Sequence, residues 1–92
     1  MIFIIDDSPT DVELTTLALE ATGREISVCS ATDGKSALAM LRNGIGAPAL
    51  VLFDLKMPGM SGIELLREIR ADYRIRELPM VVVTSSALES EH

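Results

Sequence analysis

The sequence predicts an α/β fold, a parallel sheet whose strands alternate with helices. The runs Met1–Ile5 and Ala49–Phe53 are short, continuous and rich in Ile, Leu, Val or Phe. That pattern suits strands buried on both faces of a parallel sheet. Segments with apolar residues at helical spacing separate the strand-like runs, and such alternation builds right-handed βαβ units. A third observation locates chemistry on that sheet. The first run closes on Asp6-Asp7 and the second on Asp54, and functional groups in open α/β sheets collect at the carboxyl ends of strands where strand order reverses.

The first strand is expected over Met1–Asp6. Ser8-Pro9-Thr10-Asp11 then supplies a cap residue, a proline at the first helical position and an acid in the first turn. Leu14, Leu17, Ala18 and Ala21 recur at helical spacing and predict a stripe facing the sheet, with Gly23 ending the helix. Glu25–Ala31 reads as the second strand. Asp33-Gly34 opens a second helix carrying Ala37, Leu38 and Leu41, which Asn43-Gly44 stops. The third strand, Ala49–Asp54, feeds a loop over Leu55–Ser61. Ser61 and Glu64 have capping-box spacing, and Leu65, Leu66 and Ile69 form the buried stripe of a third helix. Pro79 precedes a fourth strand, Met80–Thr84, and Ser86-Ala87-Leu88-Glu89 has the pattern of another capped helix start.

Composition sets bounds on function. Ninety-two residues make one domain, and with no Trp, two Phe and one Tyr the core must be aliphatic. A net charge of −6 argues against nucleic acid or an anionic membrane as partner. The single cysteine, Cys29, cannot form an internal disulfide; its strand-like setting marks a small buried hydrophobe, and a reducing cytoplasm is the expected location. No apolar stretch approaches the ~20 residues that span a bilayer. His92 reads as an exposed terminal residue.

Three carboxylates brought together by strand ends are unfavourable alone, because like charges resist joint ionisation. A bound divalent cation resolves the conflict, and oxygen-only donors suit Mg²⁺. The expected site is an acidic Mg²⁺ pocket in which one aspartate remains to react.

The acid pair Asp6-Asp7, the run Asp54-Leu55-Lys56-Met57-Pro58-Gly59-Met60-Ser61-Gly62 and the hydroxyl residue Thr84 ending the fourth strand together resemble the receiver domain of two-component response regulators. The resemblance covers the chain in order. It implies a flavodoxin-like, doubly wound sheet of order 2-1-3-4-5, and Asp54 as acceptor of a phosphoryl group from a sensor histidine kinase or phosphotransfer protein. It also implies Mg²⁺ held by Asp7, Asp54 and the backbone carbonyl of Lys56, with Asp6 acting through a metal-bound water. Thr84 would turn its hydroxyl to a phosphoryl oxygen, and the Ser85 N–H would meet the same oxygen. Met57 and Met60 read as loop packing, and Gly62 as permitting close helix–strand approach.

Two departures from the family stand out. Lys56 places a cation beside the pocket. The family's fifth strand, with its lysine, and fifth helix have no counterpart in the sequence, so residues 1–92 are expected to form a receiver domain incomplete at its C-terminus. Met80–Thr84 would then be an apolar edge strand inviting self-association. A phosphorylation-independent interaction module is the alternative function. Cobalamin binding on a similar sheet would need a histidine where Lys56 stands, and a dehalogenase-like phosphatase would need D-x-D where Asp6 and Asp7 are adjacent.

Overall fold

A computed structural model describes residues 1–57 and 59–83. Four short strands, β1 (Ile2–Ile5), β2 (Val28–Ala31), β3 (Leu50–Phe53) and β4 (Met80–Val82), alternate with helices α1 (Pro9–Glu20), α2 (Gly34–Arg42) and α3 (Gly62–Ala71). All pairings are parallel and the strand order is β2-β1-β3-β4. This is the predicted α/β sheet, doubly wound in the sense that β1 to β2 steps one way and β2 to β3 to β4 the other. Right-handed crossovers then put α1 on one face and α2 and α3 on the opposite face.

Each helix starts as its local sequence dictates. Ser8 accepts from the Asp11 N–H with Pro9 at the first position, Asp33 accepts from the Ser36 N–H, and Ser61 accepts from the Glu64 N–H. The core lies between the sheet and the α2–α3 layer. Phe3, Ile5, Val51 and Phe53 project from alternate strand positions against Ala37, Leu38 and Leu41 of α2 and Leu65 and Ile69 of α3. Met57 and Ile75 complete it from the connections.

The strands are shorter than the sequence suggests. The Ile2 N–H bonds the Ser27 carbonyl at 2.8 Å, so pairing touches the segment before β2, but the ladder itself runs only from Val28. Of Met80–Thr84, Met80–Val82 form β4, and Thr84 lies outside the described residues, as do Ser85 and the helix start at Ser86–Glu89.

The face assigned to α1 needs correction. Leu14 and Leu17 are 59% and 52% exposed, and Ala18 and Ala21 are exposed with them. Beyond Asp11 in the first turn, the half-buried positions are Val12, Thr15, Thr16 and Leu19. Both sets have helical spacing and lie roughly 200° apart at 100° per residue, so period alone could not choose between them. The side facing the sheet proves to be the less apolar one.

Candidate functional site

The sheet fixes the acidic residues before their side chains matter. The Asp6 N–H donates to the Ala31 carbonyl at 3.1 Å, and the Asp54 N–H donates to the Ile5 carbonyl at 3.1 Å. Each aspartate backbone is thus one residue past its strand yet still tied to a neighbouring strand. β1 and β3 are adjacent, and strand order reverses about them, so their ends flank the crevice where such sheets bind ligands.

Asp6, Asp7 and Asp54 converge there as the sequence predicts. One carboxylate oxygen from each lies within 4.8 Å of the others. Asp54 is 7% exposed and is the buried charged residue among those described, whereas Asp6 is half-buried and Asp7 faces solvent. Burial pushes the Asp6 carboxyl above its ordinary pKa; the Ser8 N–H pulls it down, and the charges of Asp54, Asp11 and Asp7 raise it further.

Two Asx turns orient the carboxylates. The Ser8 N–H donates to Asp6 Oδ1 at 2.9 Å, and the Lys56 N–H donates to Asp54 Oδ1 at 3.0 Å. An oxygen two residues back accepts from the chain as it turns away from the strand. Lys56 thus meets Asp54 through its N–H, besides the carbonyl expected to face a cation; an aspartate at a strand end followed by turn residues is the signal for such a bond. The Lys56 side chain is exposed.

Behind Asp54, α3 begins at very close range. A Cβ on Gly62 would stand 2.6 Å from the Asp54 carbonyl oxygen and 2.7 Å from Leu55 Cα. The Gly62 N–H also donates to the Leu55 carbonyl at 2.9 Å. The predicted close helix–strand approach is therefore present, and it braces the backbone of the most buried carboxylate. Gly59, at φ +78°, provides the left-handed residue this connection uses. Thr84 and Ser85 lie outside the described residues. The chain can be followed up to Val83, whose N–H donates to the Phe53 carbonyl at 2.8 Å beside Asp54.

The donor set is all oxygen, carries three carboxylates and is partly desolvated. It fits a hard divalent cation of the Mg²⁺ type better than a soft metal. No helix among the described residues is long and apolar enough to cross a membrane.

The chain is similar to known proteins in sequence and in fold. A sequence model of the response regulator receiver domain matches residues 2–91. The chain is 34% identical to sensor histidine kinase CheAY of Helicobacter pylori over 91 residues, covering 99% of this chain but 11% of that protein. It is 40% identical to chemotaxis protein CheY of Pseudomonas aeruginosa over 86 residues, 94% of this chain and 67% of that one. Among solved structures, bacteriophytochrome response regulator AtBRR superposes with a TM-score of 0.84 at 38% identity, covering 98% of this chain and 69% of that chain. The Mn(2+)-bound form of response regulator Rcp1 superposes with a TM-score of 0.83 at 29% identity, covering 98% and 68%.

Proposed function

The chain belongs to the response regulator receiver domain family, and from that premise we propose that it is a phosphorylatable signalling switch with Asp54 as acceptor. The observation that carries this reading is the convergence of Asp6, Asp7 and Asp54 within 4.8 Å at the reversal of strand order. The donor would be a phosphohistidine on a sensor kinase or phosphotransfer protein. A carboxylate oxygen of Asp54 attacks phosphorus, the P–O bond forms as the P–N bond breaks, and the electron pair of that bond stays on the departing imidazole.

This chain's residues prepare that step. The Lys56 N–H fixes Asp54 Oδ1 and thereby the direction of the other carboxylate oxygen. Burial of Asp54 keeps competing water from its flank. Asp7, Asp54 and the Lys56 carbonyl would hold Mg²⁺, with Asp6, oriented by the Ser8 N–H, acting through a coordinated water. When bound, the cation neutralises the carboxylates and polarises the phosphoryl oxygens. The Thr84 hydroxyl and the Ser85 N–H would meet a phosphoryl oxygen, a role that rests on family resemblance.

Acetyl phosphate with Mg²⁺ tests the assignment by intact-mass spectrometry. One phosphoryl group is expected on the chain, lost in Asp54→Asn and lost when Mg²⁺ is chelated. Labelling that survives either change defeats the assignment. A folded chain that takes no label is the behaviour of an interaction module that works without phosphorylation.

A further inference from the structure

Gly34, the first residue of α2, is buried against Met60. A Cβ at position 34 would stand 2.9 Å from Met60 Cβ, 2.9 Å from Sδ and 3.0 Å from Cγ. The Met60 side chain therefore rests on bare backbone. Interiors are close-packed, so a methyl group added there has nowhere to go unless one partner retreats. α2 is held in place: Asp33 Oδ1 accepts from the Ser36 N–H at 2.7 Å, Oδ2 accepts from the Ser36 hydroxyl at 3.0 Å, and the helix buries Ala37, Leu38 and Leu41. Met60 is the partner that must move.

Met60 belongs to the connection between β3 and α3 that also carries Lys56. That connection is held at one end by the Lys56 N–H on Asp54, by Met57 in the core, and at its far end by Gly62 against the Asp54 carbonyl. Met60 on Gly34 is its lateral support, and it comes from an element with no aspartate of the site. We propose that the Gly34–Met60 contact positions the acid site: the first turn of α2 sets where the β3–α3 connection lies, and so how the Lys56 backbone meets Asp54. Gly34 and Met60 are positioning residues. The inference rests on the reading of Asp54 as phosphoacceptor and assigns its geometric control to a neighbouring helix.

The test is Gly34→Ala in the whole chain, followed by amide NMR without metal and then through a Mg²⁺ titration. In the metal-free protein the Lys56 amide resonance is expected to move as its bond to Asp54 Oδ1 weakens, with the β1 resonances in place. The Mg²⁺ midpoint read at the Asp7 amide is expected to rise about tenfold, the scale of losing an outer-shell partner of a metal site. A lower melting temperature with the Lys56 resonance and the Mg²⁺ midpoint unmoved would show that Gly34 only packs, and would overturn the proposal. Should Gly34→Ala not fold, Met60→Ala removes Sδ and Cγ from the contact and must move the Lys56 amide; an unmoved amide overturns the proposal equally. A wild-type chain that takes no phosphoryl group defeats the acceptor assignment alone, because the metal-free Lys56 shift still reports the coupling.

Discussion

Gly62 is where a single atom would do most damage. The atoms its Cβ would strike, the Asp54 carbonyl oxygen at 2.6 Å and Leu55 Cα at 2.7 Å, are backbone, so no rotamer change can relieve the clash. Gly62→Ala is expected to destabilise the chain by about 2 kcal/mol, mid-range for overpacking, and to slow labelling of Asp54 because the displaced backbone carries the acceptor. Thermal melts and labelling rates measured together check this; an Ala variant that melts and labels like the parent shows that α3 can slide. At the same scale, beryllofluoride with Mg²⁺ mimics an acyl phosphate and is expected to shift the amide resonances of Asp7 and Asp54. Spectra of a folded chain that do not change at saturating ligand support the passive-module alternative. Asp6, Asp7 and Asp54 were legible because apolar runs ended on them. The Asx turns at Ser8 and Lys56 were not, since the sequence shows a turn residue without showing which oxygen it meets. The Gly34–Met60 contact joins positions 26 residues apart, and no local pattern announces it.

Elements are tied together by an ionic clasp as well as by the core. Arg42, the last residue of α2, donates from Nε to Asp72 Oδ2 at 3.1 Å and from Nη2 to Glu68 Oε2 at 3.4 Å. Asp72, the C-cap of α3, also accepts from Arg74 Nη2 at 3.0 Å and from the Arg74 N–H at 3.0 Å. Hydrogen bonds from the Arg74 side chain and backbone, then from Arg42, hold the Asp72 carboxyl well below the usual carboxylate range. A carboxyl whose folded pKa is depressed stabilises the fold above its unfolded pKa and loses that contribution as pH falls through the folded value. The melting temperature is therefore expected to fall as pH drops below about 4, and Asp72→Asn is expected to melt lower at neutral pH with a shallower acid decline. Parallel acid declines in parent and variant would remove Asp72 from the account. Sequence could suggest Arg74 as a near neighbour of Asp72, but Arg42 is brought there only by tertiary packing. The same limit explains α1: two stripes had helical spacing, and selection of Val12, Thr15, Thr16 and Leu19 came from the sheet. In α2 and α3 only one stripe was apolar, so their faces were legible.

The molecule as a whole covers its two sheet faces unequally. Among the described residues α2 and α3 close one face, while α1 alone serves the other and contributes no fully buried residue. Register places Val81 beside Leu52 and Ile4 on that second face. Val81 and Val83 are each 46% exposed, and Leu14 and Leu17 present further apolar surface from α1. Among the described residues β4 pairs only with β3, so its outer edge offers unpaired backbone groups flanked by valines. At roughly 25 cal/mol per Å² of apolar surface buried, covering a few hundred Å² is worth several kcal/mol, a large part of the ~5–15 kcal/mol that holds a domain together. The isolated 92-residue chain is therefore expected to associate with itself as concentration rises, and to melt higher when associated. Val81→Lys puts a charge on the edge strand, the device by which natural sheets discourage edge pairing, and is expected to shift sedimentation toward the monomer. It should also make melting independent of concentration. If the parent chain already sediments as a monomer at every concentration and melts sharply, the valines and the α1 leucines stay in water without penalty, and the unequal covering of the sheet has no bearing on assembly.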